Sequence, residues 1–259
     1  MREKTQLDLE LSPAITSLSE LAKAENECTR CPLYQHATQA VPGEGRRSSH
    51  LMLVGEQPGD KEDLAGKPFV GPAGRVLDRA LEDAGIPRTE VFVTNAVKHF
   101  KHEMRGKRRL HKRPNAYEIE RCKIWLDVER ALVKPVAIVA LGATAARSLL
   151  GRSVTISKLR GQTLHLADGT AAFVTIHPSW LLRIEDEADK EREYKNLVAD
   201  LRPAAKVLAA RFSAKSGKEK INKGFSDSNF QFCKGCIRAS GSPAAVERPA
   251  QAALATRKP

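Results

Sequence analysis

The stretch that decides the fold runs from Leu51 to Gly74 and reads LMLVGEQPGDKEDLAGKPFVGPAG. Its first four residues are apolar without a break, the pattern of a strand buried on both faces. Glycines and prolines then hold the backbone open as a loop. From Ala73 the apolar residues Val76, Leu77, Ala80, Leu81 and Ala84 recur at helical spacing until Gly85. A strand, a long loop and a helix in that order form one unit of an α/β sheet. The loop leaving the C-terminal end of a parallel strand is where such sheets place ligand chemistry. This loop carries acids (Glu56, Asp60, Glu62, Asp63), one amide (Gln57) and one aromatic (Phe69), and it lacks a Gly-Lys-Ser/Thr ending. Acids repel phosphate, so the composition speaks against a phosphate cradle and for a pocket that takes a neutral, flat, polar ligand.

Outward from this unit, the same alternation continues. Val91–Val97 and Val136–Leu141 read as further strands, the second closed by Gly142 and a short helix over 143–150. Thr163–Leu166 and Ala171–Ile176 read as two strands around an Asp168-Gly169 turn, and the latter delivers His177-Pro178-Ser179. Capping boxes at Ser17/Glu20 and Asn115/Glu118 start two helices, and an amphipathic run from Glu187 to Leu208 predicts a last one. Strands alternating with helices predict an α/β fold, a three-layer α/β/α sandwich on a mostly parallel central sheet. Lys98–Pro114 has no usable period and holds eight cations against one acid, so it reads as a long surface loop that grips phosphates.

The formal net charge of +12 suits a polyanionic partner, nucleic acid first and an anionic membrane surface second. No apolar run is long enough to span a bilayer, and residues 1–11 lack the apolar core of a secretory signal. A cytoplasmic monomer is expected. Residues 1–210 read as the folded domain. From Arg211 on, ten Lys and Arg stand against three Asp and Glu in a stretch rich in Gly, Ser, Ala and Pro, read as a disordered basic tail.

Three strand ends converge in this topology, bringing together Glu56/Gln57, Asn95 and His177. An amide both gives and takes hydrogen bonds, which matches the edge of a pyrimidine, and Phe69 is placed to stack on the face of a base. Each residue also has an ordinary reading: Asn95 as a satisfied strand end, His177 as a helix cap.

The loop VGEQPGDKEDLAGKPFVGPAG resembles the first motif of the iron–sulfur (family 4) uracil-DNA glycosylases, and HPSWLLR (177–183) resembles their second. The likeness extends from about Cys28 to Leu201. GEQPG in place of the usual GEAPG, together with GKRRLH (106–111), is similar to the UdgX-type branch. The resemblance implies a uracil-DNA glycosylase-like fold and a DNA-repair enzyme acting on uracil-containing DNA, single- or double-stranded. It further implies a covalent link to the abasic C1′ through His111. It places Asn95 on the uracil edge, Phe69 on its face, His177 near a carbonyl oxygen, and Gln57 and Asp60 at the pocket floor, with Glu56 as the partner of His111. Lys107, Arg108, Arg109 and Ser179 are assigned to DNA, with Lys107–Arg109 alternatively anchoring the loop that carries His111.

Five cysteines suggest metal or redox chemistry. The resemblance makes Cys28, Cys31, His99 and Cys122 the ligands of a [4Fe–4S] cluster, with His99 where most of the family has cysteine. The rival is zinc held by Cys28, Cys31, Cys233 and Cys236. Two other functions stay open: an ordinary hydrolytic glycosylase of the same fold, and a basic nucleic-acid-binding module without catalysis.

Overall fold

The computed structural model describes residues 15–223, with side chains through residue 211. Its centre is a five-stranded sheet in the order β2-β1-β5-β7-β6. The strands are β1 (Leu51–Gly55), β2 (Val91–Asn95), β5 (Ala137–Leu141), β6 (Leu164–His165) and β7 (Ala171–Thr175). β2, β1, β5 and β7 run parallel, and the short edge strand β6 is antiparallel to β7. All five residues of β1, β2 and β5 are buried. Their side chains alternate between two cores, as the period of two dictates. Leu51 and Leu53 join Leu77, Leu81 and Leu201 on one face, while Met52 and Val54 join Phe92, Leu126 and Ala145 on the other. Helices cover both faces, which is the expected α/β/α sandwich.

The helices are Leu18–Asn26, Asp60–Ala65, Pro72–Asp83, Ala116–Val133, Ala143–Leu150, Ile156–Leu159 and Glu187–Lys223. Both expected capping boxes form, Ser17 with Glu20 and Asn115 with Glu118. The last helix continues past Leu208 to Lys223, so residues 211–223 extend it. The remainder of the expected tail, with Cys233 and Cys236, lies outside the described residues. No helix among the described residues is long and apolar enough to cross a membrane.

The structure departs most from expectation between Lys98 and Pro114. Instead of an irregular loop it forms a two-stranded antiparallel hairpin, β3 (His102–Arg105) and β4 (Arg108–His111). A two-residue Gly106-Lys107 turn joins the strands, and Gly106 has φ +60, the conformation a tight hairpin asks of its first central residue.

Lys98 was also expected among the phosphate-gripping cations, yet its side chain is fully buried. Its Nζ donates to Glu129 Oε1 at 2.7 Å and to Thr94 Oγ1 at 2.6 Å, with Glu25 Oε1 at 3.7 Å. Glu129 Oε1 also accepts from the Gly43 amide at 3.0 Å. Burial by itself would lower the Lys98 pKa, but the acids beside it, Glu129 foremost, outweigh it and hold the amine charged. Burial pushes the Glu25 carboxyl up to about 8, so the cluster does not confine two anions around one cation at neutral pH. This network ties the helix Leu18–Asn26 to β2 and to the helix Ala116–Val133. Removing one partner strands a charge in the core. Glu129→Ala should therefore cost about 3–5 kcal/mol in chemical denaturation. Adding Lys98→Met to that variant should recover most of the loss, and failure to recover it would locate the damage elsewhere.

Candidate active site

The C-terminal ends of β1, β2, β5 and β7 open into one cavity of about 580 Å³. Glu56 follows β1, Asn95 ends β2, Gly142 and Ala143 follow β5, and His177 stands just past β7. Phe69 and Gln57 from the long loop, Ser179 from HPSWLLR and His111 from the end of β4 complete its wall. The hairpin thus brings His111, distant in the chain from the other strand ends, to the cavity that Glu56, Phe69, Asn95 and His177 bound.

Missing side chains make this close approach feasible. A Cβ on Gly55 would meet Asn95 Oδ1 at 2.3 Å and the Phe69 ring at 2.7 Å. A Cβ on Gly74 would stand 1.6 Å from the Phe69 carbonyl oxygen. Phe69 itself has φ 57, an unfavourable backbone for an aromatic residue, and these two glycines leave room for it. Its ring lies 5.9 Å from that of His177, nearly parallel. Glu62 closes the loop on itself by accepting from the amides of Gly59 at 3.1 Å and Gly71 at 2.9 Å.

His177 Nδ1 accepts the Ser179 amide at 3.1 Å, which leaves the ring proton on Nε2. Burial pushes its pKa down to about 4, against the pull of Glu56, so the ring is neutral at neutral pH and donates from Nε2. Ser179, assigned from the sequence to DNA, also has its hydroxyl 2.8 Å from His177 Nδ1. Glu56 holds His111 Nε2 at 3.3 Å on Oε1 and Thr144 Oγ1 at 2.5 Å on Oε2. Burial would raise the Glu56 pKa, but the His111 and Thr144 contacts outweigh it and the carboxyl stays below its ordinary value.

Two assignments read from the sequence take a different place. Gln57 lines the cavity, but its amide is committed to the hairpin. Nε2 donates to the carbonyls of Lys101 and Lys112, both at 3.1 Å, and Oε1 accepts the Lys101 amide at 3.1 Å. Asp60, expected at the pocket floor, does not line the cavity, because its carboxylate accepts Arg109 Nε at 2.6 Å. Arg109, read from the sequence either as a DNA contact or as an anchor of the loop that carries His111, takes the anchoring place: it also donates to the fully buried Asp63 at 2.5 Å and staples the hairpin. Lys101 and Lys112 are paired with Glu118 and Glu103. Lys107 and Arg108 sit exposed at the hairpin tip with no ion pair among the described residues. The site assignments read from the sequence did not include Arg113, Trp180 and Arg183 from the cavity wall, nor Thr144, which stands behind the wall on Glu56. A signal existed for Thr144: β5 is the middle strand of the sheet, so the residues after it must face the site.

Cys28, Cys31 and Cys122 are free and buried, and all three belong to one cluster with Val97 and Trp125. The Trp125 indole N–H donates to Cys28 Sγ and the Lys98 amide to Cys122 Sγ, each at 3.2 Å, the pattern that thiolate ligands accept. His99 is buried, and burial lowers its pKa, which favours the neutral ligating form. Among the described residues no three His, Cys, Asp or Glu side chains are placed to hold a single metal ion. Three cysteines and a histidine are a donor set of the kind that iron–sulfur clusters accept.

This geometry belongs to a known superfamily. The model of the uracil DNA glycosylase superfamily matches residues 42–202, and the chain belongs to that superfamily. Type-4 uracil-DNA glycosylases are among its relatives. That of Thermotoga maritima is 39% identical over 158 residues, which are 61% of this chain and 79% of the relative. That of Pyrobaculum aerophilum is 35% identical over 173 residues (64% and 85%), and that of Archaeoglobus fulgidus 30% over 189 residues (70% and 92%).

The hairpin has almost no core of its own, so Arg109 and Gln57 should decide its stability. Arg109→Ala should cost about 1–3 kcal/mol and speed amide exchange across residues 102–111 while leaving the central sheet protected. Uniform loss of protection throughout the chain would mean that the ion pair supports the whole domain instead.

Proposed function

We propose that the protein is a uracil-DNA glycosylase whose hairpin histidine, His111, captures the sugar carbon and leaves the enzyme joined to DNA. The observation that carries this reading is the 3.3 Å contact of His111 Nε2 with Glu56 inside the cavity that Asn95, Phe69 and His177 line. A base inside a duplex is out of reach, so the target nucleotide must first be extruded into the pocket. Asn95 reads the pyrimidine edge and Phe69 packs on its face. As the C1′–N1 bond lengthens, the electron pair leaves with uracil, and His177 Nε2–H donates to the carbonyl oxygen that gathers the charge. A lone pair of the His111 imidazole forms the new bond to C1′, and Glu56 balances the resulting imidazolium. No neighbouring group readily expels an alkylated imidazole, so the adduct persists. Lys107 and Arg108 at the hairpin tip supply cations for phosphate.

A second reading, an ordinary hydrolytic enzyme with His111 only assisting, is favoured by the names of the Type-4 relatives. Denaturing electrophoresis with uracil-containing single-stranded DNA separates the two. A band that stays shifted after heat and detergent is expected, and uracil release without such a band would favour the hydrolytic reading. His111→Ser should abolish the shifted band and allow repeated turnover, because water takes the vacated position. Cross-linking by that variant at the wild-type level would remove His111 as the nucleophile.

Capture needs Glu56 ionised, His177 neutral and the His111 imidazole unprotonated so that its lone pair is free. Glu56 and His177 have depressed pKa values, so their two requirements are met at neutral pH and fail only as pH falls through those values. In the His111→Ser variant, which lacks the imidazole nucleophile, single-turnover uracil release should stay level around neutrality and fall only as pH drops through the depressed pKa values of Glu56 and His177.

We also propose that Cys28, Cys31, His99 and Cys122 hold a [4Fe–4S] cluster. It would tie the N-terminal segment, the end of β2 and the helix Ala116–Val133 into one unit. Protein purified without oxygen should be brown and contain iron and acid-labile sulfide in equal amounts. Cys122→Ser should lose both and melt lower. Zinc without sulfide would overturn the assignment.

A further inference from the structure

Thr144 takes no part in the reaction just described, yet it touches the residue on which that reaction turns. It is 4% exposed and sits in the first turn of the helix Ala143–Leu150, whose N-terminus faces the cavity. Its Oγ1 donates to Glu56 Oε2 at 2.5 Å, while His111 Nε2 occupies Oε1 at 3.3 Å. The two carboxylate oxygens therefore have separate partners. The other charged groups facing Glu56 are Arg113, 3.7 Å from Oε2 but with a side chain 74% exposed, and His177. Glu62 and Arg183 line the same cavity. Solvent screens Arg113, so the buried hydroxyl is the directional hold on Oε2.

Resting on the proposed roles of Glu56 and His111, we infer that Thr144 is a positioning residue that governs the partition between capture by His111 and hydrolysis. A hydrolytic reaction needs a carboxylate oxygen free to hold a water. The water oxygen would bond to C1′ while its proton moves to Glu56, and the C1′–N1 electron pair would leave on uracil. The Thr144 hydroxyl fills the Oε2 position that such a water would use. It also fixes the carboxylate plane so that Oε1 points at the imidazole. The backbone dipoles at the start of the helix Ala143–Leu150 favour the anionic carboxylate in the same orientation.

The test compares Thr144→Val, which keeps the shape without the hydroxyl, with Thr144→Ser, which keeps the hydroxyl. Thr144→Ala serves if the valine variant fails to fold. Uracil-containing single-stranded DNA is the probe, and free uracil and DNA-linked protein are read together across pH. In the valine variant the ratio of linked protein to released uracil should fall about tenfold, the worth of one hydrogen bond to a charged group. The acid limb of uracil release should also move to higher pH, since Glu56 loses a donor that stabilises its anion. Serine should restore both, which a purely structural role for Thr144 would not predict. Valine and serine variants with the wild-type ratio overturn the inference. Should the wild-type protein release uracil and form no linked product, the His111 reading fails separately. The acid limb then decides alone, and a limb unmoved by valine overturns a positioning role.

Discussion

Asp63 has no exposed surface, and its carboxylate is held by the Thr38 amide, the Thr38 hydroxyl at 2.6 Å and Arg109 Nη1 at 2.5 Å. That cluster decides where His111 stands. β3 and β4 have no apolar face: six of their eight residues are polar or charged, and of the two apolar ones, Leu110 and Met104, Met104 is 61% exposed. A two-stranded ribbon without a hydrophobic side is unstable alone in water. It persists here because Arg109 grips the acids of the helix Asp60–Ala65 and Gln57 clasps its two ends by their backbone groups. A guanidinium suits this task better than an ammonium would, since its fork engages Asp60 and Asp63 at once. The acidic loop after β1 thus anchors the basic hairpin, and the two segments that carry Glu56 and His111 are locked together.

The charge of the chain is distributed by the same logic. Counted along the sequence, the segment from Lys98 to Arg113 is a block of cations. In space Lys98 belongs to the core, Lys101, Arg109 and Lys112 are paired with acids, and the exposed cations gather at the tip near Gly106. Exposed positive charge is left at the tip, while the base of the hairpin becomes structural. Inside the cavity the polarity is arranged the opposite way. His177 is kept neutral by burial and aimed by Ser179, and Glu56 is kept ionised by its two donors. A neutral hydrogen-bond donor and a fixed anion stand side by side in one pocket because each group has its own partners.

A second ionic centre, Lys98 with Glu129, Glu25 and Thr94, sits where the N-terminal helix meets β2. It borders the cysteine cluster, since the Lys98 amide donates to Cys122 Sγ. Isolated charges are costly in a core, and this one is tolerated because the lysine has partners on three sides. The arrangement joins segments that the sheet alone would not hold, and it explains how residues as far apart as Gly43 and Glu129 share one hydrogen-bonded unit.

Much was legible before any coordinates. Unbroken apolar runs with glycine or asparagine at their ends announced parallel strands buried on both faces. In a parallel sheet the residues after such strands must meet, so Glu56, Asn95 and His177 could be grouped from the sequence alone. What the sequence could not reveal depends on contacts between distant segments. The hairpin was invisible because its strands lack alternation, and only the Gly106-Lys107 turn hinted at it. Gln57 and Asp60 looked like ligand-binding groups, and Arg109 could be read as a DNA contact or an anchor, because residue type tells of hydrogen-bonding capacity and not of who takes it up. Thr144 carried no signal beyond its place after a strand. Short-range periodicity and turn chemistry determined the sheet and the identity of its rim, since they act between neighbours in the chain. Only the tertiary structure decided which polar groups pair with each other and which still face the cavity, because that outcome depends on partners brought together by folding.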